Sequence, residues 1–395
     1  MNRGILGARV LSRNGCLYAN NASALSYHSI LRRYTSHSTS HKGYHSRLNR
    51  SLIRIDGLDS FRFIQNLIST NLNLIHRPDL KSDSSHTAQK VDPSSEVKPG
   101  IVYTSFMTSA GRIVFDAFVH PTDPTDLDKG YILDVDGRIG AEAVLEHVKK
   151  FKLRTKVNFT NVTEDYSVHS LMNSRHSDDK TVQLEGTDCP IDPRGNFMGN
   201  RVIVQKGEEK ILRDFREISE EEYRIYRILK GVPEGHDCFW REEALPFEHL
   251  MEELNGVSFN KGCYIGQELT NRTHHMGVIR KKILPVVAVA AGEDGEKLSE
   301  GLYDKDIGEI SQLVDRTSTL QRGKTLTSST EKKSGKAGRF GLAMVRLEHV
   351  NEKVEETTLH TEDGTCVHVI RPFWWDHFVS EKKKLDQQLI DHIKQ

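Results

Sequence analysis

Two alternating apolar runs, IVYTSFM at 101–107 and RIVFDAFVH at 112–120, are separated by only four residues, TSAG. Runs of that length, rich in β-branched and aromatic residues and joined by a short turn ending in glycine, specify an antiparallel hairpin. SLIRI at 51–55 precedes it as a strand and YILDV at 131–135 continues the sheet. Phe61, Ile64, Leu67 and Ile68 recur at helical spacing after Asp59, which reads as a cap, and RIGAEAVLEHVKKF at 138–151 is amphipathic. Strands and hairpins interleaved with helices predict an α+β fold class.

A chain of 395 residues has room for two or three domains. The expected divisions are an N-terminal α+β domain over 46–151, completed by 232–282, and a second α+β domain over 152–231. The second opens with LRTKVNFTNVT, runs through TVQL and RVIVQ, and ends in the helix EEEYRIYRILK, capped by Ser219 and stopped by Gly231. Between its strands lies DPRGNFMGNR at 192–201. Its arginines and glycines suit either an anion cradle or a long turn, and turn chemistry is the favoured reading. Over 283–380 the short runs ILPVVAVAA, IGEISQLV, RFGLAMVRLE and CVHVIRP predict a β-barrel, with Trp374 and Trp375 as packing anchors. A charged helix over 381–395 closes the chain. The polar stretches 76–100 and 317–338 read as loop insertions.

Formal charge is zero overall, yet no Asp or Glu occurs before Asp56, while nine Lys and Arg side chains do. An Arg- and Ser-rich, acid-free leader is the composition of a mitochondrial transit peptide, expected over 1–45 with cleavage near LRRYTS at 31–36. Its removal leaves a mildly acidic chain, which argues against nucleic acid as a partner. The longest apolar candidate, ILPVVAVAA, is far short of the roughly 18 residues that span a bilayer, so the chain is expected not to be membrane-spanning. The five cysteines, at 16, 189, 238, 263 and 366, form no CxxC or other close metal spacing. Reduced thiols are therefore expected in place of a disulfide framework.

One cysteine stands apart. KGCYIGQE, 261–268, places Cys263 after a lysine-glycine pair and before what reads as the start of a helix, with Arg272, His274 and His275 beyond. Helix-end amides and positive neighbours favour a thiolate. Isolated free cysteines are more often small buried hydrophobes, but an apolar slot has no use for Lys261, Gln267, Glu268 and Arg272 around it. Gln267 is expected one turn from Cys263 on the same face, and Glu268 is expected to fix loop backbone or pair with Arg272. His274 and His275, being adjacent, point apart and do not serve one iron together.

The run LPFEHLMEELNGVSFNKGCYIGQELTNRTHHMGVIRKK, Leu245 to Lys282, resembles the signature of the YgfZ-type folate-binding family, whose eukaryotic branch comprises mitochondrial iron-sulfur cluster assembly factors acting late, in [4Fe-4S] maturation. IDGLDSFRFIQNLISTN, SAGRIVFDAFV, DPR with GNR downstream, and GEISQ extend the resemblance over most of the chain after residue 50. It implies a three-part, ring-like fold shared with the glycine-cleavage T-protein (GcvT), a cavity able to hold tetrahydrofolate, and Cys263 as the functional thiol. It also implies A-type iron-sulfur carrier proteins as partners, [4Fe-4S] client enzymes such as aconitase and lipoate synthase, and the mitochondrial matrix as location. One thiolate cannot hold a cluster alone, so Cys263 is expected to share a transient cluster with a partner. Lys261, Arg272 and the histidine pair would hold the thiolate charge or receive the anionic carrier or cluster. For folate, Asp116 and Glu248 stand where the family places acidic residues to grip the pterin edge, and Arg241 is the candidate for the glutamyl tail; each reads equally well as a member of a structural ion pair. The alternative is a tetrahydrofolate-dependent aminomethyltransferase or demethylase of the same fold. Against it, the chain lacks a GYTGE-type segment and carries Phe115 beside Asp116 where that enzyme has paired aspartates. An assembly factor that is not a classical enzyme is therefore expected.

Overall fold

The computed structural model describes residues 42–75, 100–123, 126, 129–173, 189–289, 307, 340–347, 350, 359–360, 366–372 and 375. TVQL, most of IGEISQLV, the inserts at 76–99 and 317–338, Trp374 and the expected C-terminal helix lie outside these residues. The described residues belong to one compact unit.

Within that unit the described strands form three sheets. The first is five-stranded and antiparallel throughout, in the order β3 (Val102–Met107), β4 (Ile113–Pro121), β5 (Tyr131–Asp136), β2 (Arg50–Asp56), β6 (Asn158–Asn161). The expected hairpin is its β3–β4 pair, with Ser105 opposite Asp116. Alternation sorts these strands between two cores. Ile53, Ile55, Phe106, Phe115, Leu133 and Val135 pack with α1 (Ser60–Gln65) and α2 (Ala141–Lys149), whereas Leu52, Tyr103, Phe118 and Ile132 join the core under the second sheet. Burial on both faces explains why β3, β4 and β5 are almost wholly buried.

The second sheet runs β8 (Asn200–Gln205), β7 (Tyr166–Asn173), β1 (Gly43–Leu48), β9 (Phe215–Ile218), with β1 and β9 parallel. Strand β1 is a correction to the reading of the leader: residues 43–45, expected in the transit peptide, hydrogen-bond between β7 and β9. SLIRI is therefore not the first strand, and the chain crosses from one sheet to the other between Leu48 and Arg50. Next comes α3 (Glu220–Leu229), whose Ser219 and Glu222 form a reciprocal capping box, and Gly231 at φ 71° ends the helix as expected. Asp59 differs from expectation. It makes no cap bond, because its Oδ2 instead accepts the backbone N–H of Lys156 at 2.7 Å.

The third sheet, β11 (Phe340–Arg346), β10 (Lys281–Val289), β13 (Cys366–Val369) and β12 (Leu359–His360), is antiparallel and packs Leu284, Val286, Val345, Val367 and the expected anchor Trp375 into one core. Helices and mainly antiparallel sheets together make the fold α+β. No described helix is long and apolar enough to cross a membrane.

Candidate functional site

Helix α4 (Gln267–Met276) starts four residues after Cys263, with Gly266 as its N-cap. The thiol therefore rides on the loop before the helix, not in its first turn. Gln267, at the first helical position, turns its Oε1 back to accept the Tyr264 N–H at 3.1 Å. Its expected place on one helical face with Cys263 is thus corrected, since Cys263 precedes the helix.

The loop is fastened on both sides of the cysteine. Before it, the Lys261 ammonium donates to the carbonyls of Gln65, Ile68 and Thr70 at 2.6–3.0 Å. After it, Ile265 N–H donates to Asn66 O at 3.2 Å. Ser258, earlier in the loop, donates its N–H to Ser69 O and accepts from Asn71 N–H through Oγ. Segments 65–71 and 258–265, far apart in sequence, thus form one platform, while Cys263 itself is exposed. Burial draws the Lys261 pKa down, to about 7, against which the three carbonyls favour the ammonium, whose three N–H donors they take up. Its expected role beside the thiolate is therefore corrected: no N–H remains for the sulfur, and the side chain shapes the loop.

Two glycines join this platform to the β3–β4 turn. Gly266, at φ 84°, approaches so closely that a Cβ would lie 2.7 Å from Thr108 O, and a Cβ on Gly111 would lie 2.7 Å from Leu269 Cβ. The SAGR and YIGQE motifs meet there because neither carries a side chain at the crossing. Along α4, Arg272 is exposed and Glu268 makes no ion pair with it among the described residues. His274 stacks on Phe259 with centroids 3.7 Å apart and its Nδ1 lies 3.1 Å from Glu252 Oε1, while His275 lies edge-on to it at 5.0 Å. The Phe259–His274 stack ties the start of the cysteine loop to the far end of the helix.

The three residues expected at a folate site are not brought together. Glu248 lines a cavity of about 800 Å³ between α4 and the third sheet, walled by Leu245, Phe247, Leu269, Val278, Met344 and Leu347, with Arg280, Lys281 and Arg346 as its cations. Glu248 Oε2 sits 3.3 Å from Lys281 Nζ. Arg241 is outside that lining, half exposed and facing Glu242 at 3.4 Å. Asp116 is sealed between the first two sheets, its Oδ2 accepting from Tyr103 OH at 3.1 Å and its Oδ1 from Gly235 N–H at 3.0 Å. Burial, opposed by Arg50 and reinforced by Glu234, raises its pKa to about 6.

Around Asp116 lies a buried ionic network that the sequence reading missed. Asp134 binds both Arg50 and Arg201, and Glu234 binds Arg50 and Arg194, which also grips Asp192. The Arg201 guanidinium lies 3.8 Å from the Phe118 ring centre. Burial alone would raise the pKa of Asp134 and Glu234, but the arginines outweigh it and hold both below the usual carboxylate range. DPRGNFMGNR is thus a turn, as favoured, whose Arg194 and Arg201 nevertheless enter the core. The available signal was period two: Asp116, Phe118 and His120, like Ile132, Asp134 and Asp136, alternate onto the face that carries the network.

Residues 280–377 match the family described as CAF17, C-terminal beta-barrel domain. The chain is 31% identical over 359 residues to the mitochondrial iron-sulfur cluster assembly factor IBA57 homolog of Mycosarcoma maydis, covering 83% of this chain and 84% of the relative. It is 34% identical to the homolog of Coccidioides immitis (78% and 72% covered) and 27% identical to that of Dictyostelium discoideum (82% and 92%). Among solved structures, a glycine cleavage system aminomethyltransferase T from Bartonella henselae aligns with a TM-score of 0.44 at 9% identity, covering 64% of this chain and 68% of that one. The identity to the fungal homologs, sustained over most of both chains, shows that this chain belongs to the family of mitochondrial iron-sulfur cluster assembly factors named IBA57 homologs.

Proposed function

We propose that the chain is a mitochondrial matrix assembly factor for iron-sulfur proteins, and that Cys263 lends one ligand to a cluster shared with an A-type carrier protein on its way to [4Fe-4S] clients such as aconitase and lipoate synthase. The observation that carries this reading is an exposed thiol on a loop fixed at both flanks. A sulfur held out on rigid backbone can be reached by a docking protein without prior unfolding. On meeting iron the thiol gives up its proton and becomes the thiolate that iron prefers. No group of three or more His, Cys, Asp or Glu among the described residues is placed to hold a metal. The remaining ligands accordingly come from the partner, and the cluster is cargo. Arg272, exposed on α4, would meet the anionic cluster or its carrier. Depleting the protein should abolish aconitase activity and lipoylation while sparing [2Fe-2S] enzymes; equal loss of both classes would contradict the late role.

Tetrahydrofolate is proposed for the cavity beside α4, as a bound molecule. The cavity has the size of a small-molecule site. Its apolar walls suit a pterin and an aminobenzoyl ring, Glu248 offers a carboxylate to the pterin edge, and Lys281, Arg280 and Arg346 suit glutamyl carboxylates. In this reading Asp116, buried between the first two sheets, and Arg241, outside the lining, make no contact with the folate. Titration with tetrahydrofolate should show affinity lowered about tenfold or more in Glu248→Gln, the scale of one charge-assisted hydrogen bond, and unchanged in Asp116→Asn. The reverse pattern would move the site to the buried network.

A further inference from the structure

The turns at 57–59 and 152–156 form one corner of the first sheet. Lys156 N–H donates to Asp59 Oδ2 at 2.7 Å, and Gly57 approaches so closely that a Cβ there would lie 2.3 Å from Lys156 O. Leu58 and Leu153 stand on these turns at 87% and 88% exposure, the most exposed large apolar side chains among the described residues. Leu153 is moreover held at φ 41°, a left-handed conformation that costs a leucine free energy. That cost secures no buried contact for its side chain in this chain.

Around the leucines the sequence is basic. Lys149, Lys150, Lys152, Arg154 and Lys156 fall within eight positions that contain no acid, and Arg62 lies on α1, four positions after Leu58. Lys150 is engaged by Glu146 and Lys152 lies over the Phe159 ring. The side chains of Arg62, Lys149, Arg154 and Lys156 are exposed and make no hydrogen bond or ion pair among the described residues. Asp59, the acid within the corner, accepts the Lys156 backbone N–H.

We propose that this corner is a peripheral docking site for an anionic lipid surface. A protein partner would have to supply a separate pocket for each protruding leucine. Nucleic acid would use the cations, yet its phosphate backbone offers nothing to the leucines. A bilayer interface takes both. Isolated apolar tips enter the headgroup–acyl boundary at no cost in shape fitting, while Lys and Arg reach the acidic headgroups over their flexible stems. Such docking is reversible and spans nothing, consistent with the lack of any described helix long and apolar enough to cross a membrane. It is independent of Cys263 and of the cavity, since neither shares a residue with it.

The test uses full-length Leu153→Trp and Leu58→Trp, each judged against the wild-type signal of the three native tryptophans, so that any vesicle binding by the basic leader is common to all samples. Both positions are exposed, and retained thermal stability verifies the fold. With vesicles of phosphatidylcholine and phosphatidylserine carrying brominated chains, each new tryptophan is expected to be quenched beyond the wild-type level, and with phosphatidylcholine alone it is not. Adding Lys149→Ser and Arg154→Ser should raise the lipid concentration for half-quenching about fivefold per charge removed. Absence of extra quenching overturns the proposal, whether or not an acidic polypeptide or RNA protects the corner from protease. Equal quenching by neutral vesicles, or indifference to the two serines, overturns it as well.

Discussion

Asp116 shows how one buried carboxyl changes meaning with its surroundings. Its pKa of about 6 lies above the ordinary 3.8, so between those values the native state keeps a proton that the unfolded chain has lost. This group's contribution to stability is therefore largest below about pH 4 and declines as pH rises to about 6. Asp134 and Glu234 run the other way: held low by arginines, they contribute fully above the ordinary carboxylate range and lose that contribution below it, as pH falls toward their own lowered pKa. Asp116→Asn keeps an acceptor for the Gly235 N–H and an amide for the Tyr103 oxygen while removing the charge. Denaturant unfolding near pH 7.5 should find it as stable as the wild type or more so, by up to about 3 kcal/mol, with a flatter profile between about pH 4 and 6. A destabilised variant at neutral pH would show that the network needs this carboxylate ionised. Lys261 teaches a related lesson: a lysine beside a cysteine reads as electrostatic support, yet its hydrogen bonds show a clamp on three carbonyls.

At the scale of elements, the β3–β4 turn and the start of α4 are one construction. Gly266→Ala would set a side chain at φ 84° and press its Cβ to 2.7 Å from Thr108 O, an expected loss of about 2–5 kcal/mol from the combined backbone and overpacking terms. A Cβ on Gly262 would meet nothing within 4 Å, and its φ is not left-handed, so Gly262→Ala should stay within about 0.5 kcal/mol of the wild type. Thermal or denaturant unfolding of the pair checks this, and equal effects would mean that the close crossing does not hold the cysteine loop in place. The hairpin, the α3 cap and the Gly231 stop were legible because each rests on a few contiguous residues. The fastening of the cysteine loop was not, because its partners lie roughly two hundred positions away at 65–71.

For the molecule as a whole, interleaved strands and helices announced the α+β class, and the composition of the leader agreed with the mitochondrial names of the relatives. Two features escaped because they depend on which surfaces meet. Strand β1 lies within an acid-free stretch that resembles a leader throughout, and its pairing with β7 and β9 is set by partners more than a hundred residues away. The ionic core is written as charges at alternate strand positions, a pattern that a single-sheet protein would turn toward water; only the second sheet buries it. The folate residues scattered for the same reason, since Asp116 and Glu248 belong to different layers.

The central claim is that an accessible sulfur, borne on rigid backbone, does the work. Cys263→Ser removes that sulfur from an exposed position where the hydroxyl disturbs no packing, so the fold should stand. In cells relying on this variant, aconitase activity and lipoylation are predicted to fall to the level of depleted cells while the protein's abundance holds and [2Fe-2S] enzymes keep their activity. Full aconitase activity and lipoylation with serine at 263 would contradict the account.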